Sequence, residues 1–309
     1  MDVKKCKESK KFDLLFSKTI FISEAEFFFP FIKKKGVLPY HSLRKLSFFF
    51  RILRRIFKEL RLPMHYWYGG WKHQLLKIDT VIVYSSAGAS IVDYIISQNR
   101  NIRIIVWYWD PVFRTFSPDL IDRNFCEIWS FDKADCKIYN MRYNTVFYFD
   151  NILISHKSVV YDVCFIGYDK GRRKEIEKIS QILAEAKYKA YLYVVDDDAA
   201  HRNYKGAYPR IPYEQILERI AESKAILDVV QDNQTGLTIR VMEGLFFKKK
   251  LITTQPSIKE YDFYHPDNVF ILGLDNLEFL PTFLQKQYYE ISEDIIKSYD
   301  FCNWINRFV

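Results

Sequence analysis

A polar loop that ends in a glycine opens a helix in the C-terminal half of the chain, and its residue types suit phosphate chemistry. The loop covers residues 231–236 and ends with Thr235 and Gly236. The first backbone N–H groups of a helix have no partner inside the helix, so they attract anions such as phosphate oxygens. The loop therefore predicts a seat for a phosphate-bearing ligand.

Two charged residues follow inside the same predicted helix. Arg240 and Glu243 are three positions apart and share a helix face. An arginine at this place can clamp a phosphate, and a carboxylate can accept hydrogen bonds from two ribose hydroxyls. The alternative is an ordinary surface ion pair on an amphipathic helix.

The elements around this loop are predicted by hydrophobic periodicity. The pattern gives a strand at 225–230, a helix from Leu237 with Lys248, Lys249 and Lys250 in its last turn, and a strand at 251–254. A second glycine loop, from Gly167 to Arg172, follows a strand at 161–166. Because ligands of open α/β sheets bind at the carboxyl ends of strands, the coincidence of the two loops favours a phosphate-bearing ligand.

Strands and helices alternate along most of the chain. This pattern indicates two parallel α/β domains with a linker in residues 151–160. Further strands are expected at 19–22, 78–84, 102–107, 127–131, 146–149, 190–195 and 269–272, and further helices at 42–60, 133–140 after an Asp132 cap, 172–186, 213–222 and 290–308.

Composition excludes several classes of protein. The chain has 309 residues, of which 49% are hydrophobic, so disorder is not expected. The five cysteines are dispersed without CxxC spacing, which indicates free thiols and not a disulfide framework or a zinc site. The charged first residues do not resemble a signal peptide, and no window is long enough to span a membrane. We therefore expect a cytoplasmic protein.

Positive charge is concentrated near the N-terminus. Residues 1–75 hold seventeen Lys and Arg but only six Asp and Glu. The predicted helix at 42–60 is amphipathic, with one apolar arc opposite a basic face. It suits either a domain helix with a solvated basic face or a peripheral contact with an anionic membrane surface. Nucleic acid is disfavoured, because no nucleic-acid module is recognisable.

Five segments carry a resemblance to a known family. They are YDVCFIGYDKGRR (161–173), QTGLTIRVMEGLFFKKKLITT (234–254), WYWDP (107–111), SFDKADCKIYNMRYN (130–144) and YDFCNWI (299–305). With these segments the chain resembles GT-B glycosyltransferases, specifically bacterial enzymes of lipopolysaccharide and capsule assembly. The likeness covers most of residues 100–309 and is weak before them.

The resemblance implies a fold and a donor site. The fold would be two Rossmann-like domains facing a central cleft: an acceptor-side domain at 1–155, a nucleotide-sugar domain at 158–289, and a helix at 290–309 that crosses back to the first domain. The residues implied in nucleotide-sugar binding are Gly167, Tyr168, Lys170, Arg172, Gln234, Thr235, Gly236, Leu237, Arg240 and Glu243. Glu243 would bind the ribose, and residues 235–237 would offer backbone donors.

The GT-B mechanism needs charge stabilisation at the leaving diphosphate, which arginines and a helix N-terminus supply without a metal. No cofactor is expected. An inverting reaction also needs a base, for which Asp110 is the candidate, although it equally suits a turn before Pro111. Many retaining GT-B enzymes carry a second glutamate, and its position here falls on or near Thr235. Retention and inversion therefore both stay open.

One motif competes with metal independence. Asp196, Asp197 and Asp198 follow a predicted strand and superficially match the DxD metal motif of GT-A glycosyltransferases. Their place midway through the second α/β series disfavours this role, and loss of activity in EDTA would restore it.

The sequence predicts a glycosyltransferase that moves a sugar from a nucleotide-sugar to a lipid-linked or polysaccharide acceptor. One alternative is a polyol-phosphate transferase on the same scaffold. The other is a non-catalytic module that binds anionic surfaces through residues 42–60.

Overall fold

The computed structural model describes residues 18–195 and 208–308. It divides the chain into two compact units, Met1–Asn144 and Thr145–Val309. Each unit is built on one parallel β-sheet with helices between its strands. The predicted fold class, two Rossmann-like α/β domains, is confirmed.

The first unit contains a six-stranded sheet. Its strands are β1 (Thr19–Ile22), β2 (Leu38–Tyr40), β3 (Thr80–Tyr84), β4 (Arg103–Tyr108), β5 (Cys126–Ser130) and β6 (Arg142–Tyr143). They are arranged in the order β2-β1-β3-β4-β5-β6, with every neighbouring pair parallel. Strand β2 lies on one side of β1 and all later strands lie on the other, so the strand order reverses between β1 and β3. Ligands of α/β sheets bind at such a switch point.

The described helices of the first unit are α1 (Phe29–Lys34), α2 (Phe48–Glu59), α3 (Ala89–Gln98) and α4 (Lys133–Tyr139). The predicted Asp132 cap is confirmed, because its carboxylate accepts the backbone N–H groups of Ala134 and Asp135. Helix α2 begins later than the predicted Ser42, with Ser47 as its extended N-cap. None of its residues is buried.

The second unit contains a five-stranded sheet. Its strands are β7 (Tyr161–Tyr168), β8 (Ala190–Val195), β9 (Ser223–Asp228), β10 (Lys250–Thr253) and β11 (Val269–Ile271). The order is β8-β7-β9-β10-β11, again entirely parallel. The switch point of this sheet lies between β7 and β9. Its described helices are α5 (Arg173–Glu185), α6 (Tyr213–Ala221), α7 (Ile239–Phe246), α8 (Leu280–Gln285), α9 (Glu293–Ser298) and α10 (Phe301–Asn306).

The placement of the three lysines after α7 was predicted wrongly. The helix ends at Phe246, and Lys248 adopts the left-handed conformation with φ of 52°. The N–H of Lys249 bonds the carbonyl of Gly244 and that of Lys248 bonds Leu245, which is the Schellman arrangement that stops a helix. Lys250 is already the first residue of β10.

The end of the chain also differs from the prediction. The expected single helix at 290–308 is two short helices, α9 and α10, because Asp300 is extended and caps the second one at Cys302. The expected strand at 146–149 is one parallel bridge between Tyr148 and Asp300. This pairing places residues 145–152 in the second unit, so the chain divides earlier than the expected linker at 151–160.

Packing around this bridge is aromatic. Phe147, Tyr148 and Phe149 are fully buried, and the ring of Phe147 lies 4.3 Å from that of Trp304. Helix α10 therefore packs its aromatic side chains against Phe147 and Phe149 within the second unit.

The cysteines are free, as predicted, at the four positions that the structure describes. No helix in the described part of the chain is long and apolar enough to cross a membrane.

Candidate functional site

The two glycine loops of the second unit meet at the switch point of its sheet, as the sequence predicted. One loop leaves the carboxyl end of β7 and the other the carboxyl end of β9, and these strands are neighbours. The guanidinium of Arg172, from the first loop, donates to the carbonyl of Val229 in the second. The site therefore occupies the place where doubly wound sheets bind their ligands.

Arg172 holds this junction together. Besides Val229, its guanidinium bonds the carbonyl of Tyr168, and its Nε bonds the carbonyl of Asp169 at 3.2 Å. The residue is only 7% exposed. Three backbone acceptors on two loops show that Arg172 fixes loop geometry, while its expected approach to a pyrophosphate stays a prediction.

Asp228, the last residue of β9, anchors the other side of the site. Its Oδ1 accepts the Nε of Arg240 at 3.1 Å and the hydroxyl of Thr238 at 2.7 Å, and its Oδ2 accepts the hydroxyl of Thr253 at 3.1 Å. Asp228 is fully buried. Asp228 is not among the predicted site residues, although an aspartate at the end of an apolar strand is a signal that the sequence contains.

The two arginines flank one aromatic ring. The guanidinium carbons of Arg172 and Arg240 lie 5.5 Å and 5.1 Å from the ring centroid of Phe165, within cation–π range. The backbone of Gly167 runs beside them, and a Cβ added there would lie 2.9 Å from Nη1 of Arg240. The glycine is therefore needed for the close approach of this arginine to β7.

The loop before α7 is held by side-chain amides. Gln231 donates to Gln234, which donates to the carbonyl of Gly236 at 3.1 Å, and Gln255 donates to the carbonyl of Thr235. These contacts hold the carbonyls of Thr235 and Gly236, two of the three residues (235–237) expected to offer backbone donors. Leu237 itself is buried.

The start of α7 has no capping side chain of its own. Its N-cap, Thr238, makes no capping bond to the helix because its hydroxyl bonds Asp228. The first turn contains no acidic residue. The positive end of the α7 dipole therefore lies at the switch point beside Arg240 and the carboxylate of Asp228.

Glu243 is buried within the second unit and not exposed on the surface. It is 3% exposed and accepts the hydroxyl of Tyr213 at 2.8 Å, and Tyr213 in turn shares a hydrogen bond with Tyr148. Burial raises the pKa of Glu243 to about 7, against the lowering effects of Tyr213 and Arg240. The alternative of a surface pair between Arg240 and Glu243 is wrong, since Arg240 pairs with Asp228. The ribose role of Glu243 stays a prediction.

Two more of the expected donor-site residues lie at the end of β7 and on the turn that follows it. Tyr168 is exposed, and Lys170 has a left-handed backbone with φ of 47°, followed by Gly171 with φ of 83°. The last residue of β7 thus carries an aromatic ring and the turn a cation at the carboxyl edge of the sheet, and their contact with a donor stays a prediction.

The expected base belongs to the first unit. Asp110 follows β4 and precedes Pro111, at the carboxyl edge of that sheet. It is half-buried. Its catalytic role stays a prediction.

The aspartates at 196–198 lie outside the described residues. Among residues 18–195 and 208–308, no group of three or more His, Cys, Asp or Glu is placed to hold a metal ion. Metal independence stays a prediction that EDTA tests.

No protein-family model matches the chain, and no curated protein matches it. Among solved structures, the crystal structure of CalG4, the calicheamicin glycosyltransferase, is similar with a TM-score of 0.36 and 10% identity. The alignment covers 95% of this chain and 89% of that chain. A likeness this distant supports no assignment of function.

Proposed function

We propose that the protein is a glycosyltransferase that transfers a sugar from a nucleotide-sugar donor to an acceptor. The observation that carries this proposal is the switch point between β7 and β9. There Arg240, the uncapped start of α7 and the Lys170 turn surround one edge of a parallel sheet. Asp228 offsets the charge of Arg240, but Lys170 and Arg172 add two further cations, and the resulting positive site suits the diphosphate of a nucleotide-sugar.

The proposed chemistry is stabilisation of the departing nucleoside diphosphate. Negative charge grows on the diphosphate as the bond from its oxygen to the sugar breaks, and fixed positive groups stabilise that charge. Arg240 is suited to this role because Asp228 and Gly167 fix its position. We assign this task to the chain itself, without a metal or a cofactor.

The proposed acceptor-side group is Asp110 of the first unit, acting as the base for the acceptor hydroxyl in an inverting reaction. Its place at the carboxyl edge of the first sheet supports this assignment.

The proposed acceptor is a lipid-linked or polysaccharide glycan of the cell envelope, with the protein peripheral to the inner face of the cytoplasmic membrane. Support comes from α2, which carries basic residues and exposed apolar residues on one helix. That combination suits an anionic membrane surface.

A thermal-shift panel tests the donor assignment. UDP, GDP, ADP, CDP, CMP and dTDP are added separately, with Mg²⁺ or with EDTA. A ligand at about 100 times its dissociation constant should stabilise the fold by about 2.7 kcal/mol. We expect one nucleotide to raise the melting temperature equally in Mg²⁺ and EDTA.

The matched variants are Arg240→Ala and Arg219→Ala. Arg219 is also an arginine of the second unit; it lies on α6 and pairs with Glu222, the residue that ends this helix, away from the switch point. The first variant should reduce the nucleotide shift and the second should retain it. A panel without any shift, repeated with candidate acceptors, would refute the transferase and favour a non-catalytic module. Dependence on Mg²⁺ would refute metal independence.

A further inference from the structure

A cavity of about 430 Å³ lies beside helix α2 in the first unit. Four cations of this helix line it, namely Arg51, Arg54, Arg55 and Lys58. The other residues that the structure places in its wall are uncharged. The volume falls within the range of small-molecule sites. The cavity therefore presents only positive charge to a ligand of that size.

The four cations are not neutralised by the part of the chain that the structure describes. No ion pair or side-chain hydrogen bond joins them to residues 18–195 or 208–308, although the ring centroid of Phe48 lies 5.8 Å from the guanidinium carbon of Arg51. Glu59 stands four residues after Arg55, yet the two do not pair. Partial burial raises the pKa of Asp93 on α3, and none of the four cations lowers it, so this carboxylate is not their partner. Their charge is available to an anion from outside the chain.

The spacing of the four cations sets the extent of that anion. They lie on one side of α2 over two turns, and at 1.5 Å per residue the row from Arg51 to Lys58 is about 10 Å long. A single phosphate group is too small to contact both ends of this row, whereas a chain of phosphate groups can. The planar fork of an arginine also matches phosphate oxygens. Like charges four residues apart on a helix repel each other, and a bound oligophosphate would relieve this repulsion.

The start of α3 adds further donors to the wall of the cavity. Ser90 lines the cavity, and its carbonyl accepts the hydroxyl of Tyr68 at 3.0 Å, while its own hydroxyl has no partner among the described residues. Gly88, with φ of 94°, is the N-cap and offers no side chain. No acidic residue stands in the first turn of α3. A hydroxyl and the positive end of a helix therefore supplement the four cations.

The fold places the cavity where α/β sheets bind ligands. The segment that contains Ala87 and Ser90 follows the carboxyl end of β3, and β3 borders the switch point of the first sheet. This position corresponds to that of the β7–β9 switch point in the second sheet.

The exposed apolar residues of α2 do not belong to the cavity. Phe49, Ile52 and Ile56 are exposed, and none of them lines it. At 100° per residue they lie on the side of the helix opposite the four cations. The membrane contact proposed above would use that apolar side, so the basic side is left for a soluble ligand.

We propose that the cavity binds a soluble ligand that carries a chain of two or more phosphate groups. The phosphates lie along the row of four cations, with Ser90 and the start of α3 as further donors. This inference rests on the charge and shape of the cavity and not on the proposed transferase activity.

Isothermal titration of the full chain at constant ionic strength tests the proposal, with tripolyphosphate as the probe. Inorganic phosphate and citrate are the comparison ligands, because the first is a single phosphate and the second carries carboxylates on a compact frame. We expect tripolyphosphate to bind at least about tenfold more tightly than either, a difference of about 1.4 kcal/mol. Equal affinity for inorganic phosphate would overturn the requirement for a phosphate chain. Equal affinity for citrate would overturn the assignment to phosphate.

Vesicles distinguish a soluble ligand from a lipid headgroup. The titration is repeated with vesicles of phosphatidylcholine alone and with vesicles that also contain phosphatidylglycerol. We expect the affinity for tripolyphosphate to be the same in both. Loss of binding with phosphatidylglycerol alone would show that the four cations contact lipid headgroups, and would overturn the proposal.

Matched variants locate the site. Arg51→Gln with Lys58→Gln removes the two ends of the row and should weaken tripolyphosphate binding by about tenfold or more. Lys33→Gln with Lys34→Gln removes the same charge from exposed residues of α1 that do not line the cavity, and should leave affinity unchanged. An equal loss in both double variants would mean general charge attraction and would overturn the site.

A further variant separates binding from folding. Ser90→Asp places a negative charge at the cavity and in the first turn of α3, where an acidic residue stabilises a helix. Tripolyphosphate binding should fall while thermal stability is kept or raised. Unchanged binding would overturn the proposal.

Arg240→Ala separates this cavity from the nucleotide site of the second unit. Tripolyphosphate binding should persist in this variant, and its loss there would assign the anion to the β7–β9 switch point and overturn the inference. Tripolyphosphate binding with a silent nucleotide panel would refute only the transferase. Nucleotide binding without tripolyphosphate binding would refute only this inference.

Discussion

The Nε of Arg240 lies 3.1 Å from the carboxylate of Asp228, and both side chains are almost completely withdrawn from solvent. Removing one partner of a buried ion pair leaves the other charge uncompensated, at a cost of about 3–5 kcal/mol. Asp228→Asn should therefore lower the free energy of unfolding by that order, measured by urea denaturation. Arg219→Gln removes the more exposed Arg219–Glu222 pair while Glu222 keeps its contact with Lys157, and it should cost about 1 kcal/mol or less.

A double-mutant cycle isolates this pair. Asp228→Asn combined with Arg240→Gln should destabilise the protein by clearly less than the sum of the single variants, because neither charge is then left alone. Strict additivity would show that the two side chains do not interact in solution.

Gly167→Ala tests the close approach of Arg240 to β7. The added Cβ would lie 2.9 Å from Nη1 of Arg240 and 3.3 Å from the ring of Phe165, so the guanidinium must move. Overpacking of this kind costs about 1–3 kcal/mol. We expect nucleotide affinity to fall in the thermal-shift panel, whereas Gly70→Ala, where a Cβ meets nothing closer than 3.8 Å, should have no effect on it.

Glu243 should make stability depend on pH. Its pKa in the folded protein, about 7, is above its ordinary value of 4.5, so the folded state binds the proton more tightly than the unfolded chain. The stabilisation from this proton is complete below pH 4.5 and is lost as pH rises to about 7. Its size is on the order of 3 kcal/mol, from about 1.4 kcal/mol per pKa unit.

The comparison for this prediction is Glu243→Gln, which stays neutral. The free energy of unfolding of the wild type, relative to this variant, should decrease between pH 4.5 and about 7, as measured by urea denaturation followed by circular dichroism. Infrared difference spectra should show the protonated carboxyl band disappearing around pH 7. A carboxyl that titrates near 4.5 would contradict the burial effect.

Trp304→Ala tests the aromatic packing at the end of the chain. Truncating a fully buried aromatic side chain costs about 3–5 kcal/mol, and Trp304 contacts Phe147 directly. Hydrogen exchange should become faster in residues 145–152, while Asn303→Ala, at an exposed position of the same helix, should leave it unchanged. Equal exchange in both variants would show that residues 145–152 are held by other contacts.

The fold was predictable because its strands are continuous apolar runs separated by glycine and polar turns. Both faces of such parallel strands are covered by helices, so β3, β4 and β9 can be recognised in the sequence as continuous runs of apolar residues. The two loops at the β7–β9 switch point were predictable for the same reason, since parallel strands bring their carboxyl ends to one edge.

The partners of the charged side chains were not predictable. Spacing placed Arg240 and Glu243 on one face, but burial made Asp228 the partner of the arginine and Tyr213 the partner of the glutamate. Such choices depend on contacts between distant positions. The end of α7 was also not predictable, because Lys248 stops the helix in a left-handed backbone conformation that is more typical of glycine.

The bridge between Tyr148 and Asp300 has a consequence for how the protein is made. Next to this bridge, the backbone N–H of Asp150 donates a hydrogen bond to the carboxylate of Asp300, 150 residues further along the chain. At about 5–20 residues per second, a ribosome needs on the order of 10–30 s to synthesise the chain from Asp150 to Asp300. Throughout that interval Phe147, Tyr148 and Phe149 lack the side chains that bury them. The nascent chain therefore carries an apolar segment that a chaperone can recognise until its last helices emerge.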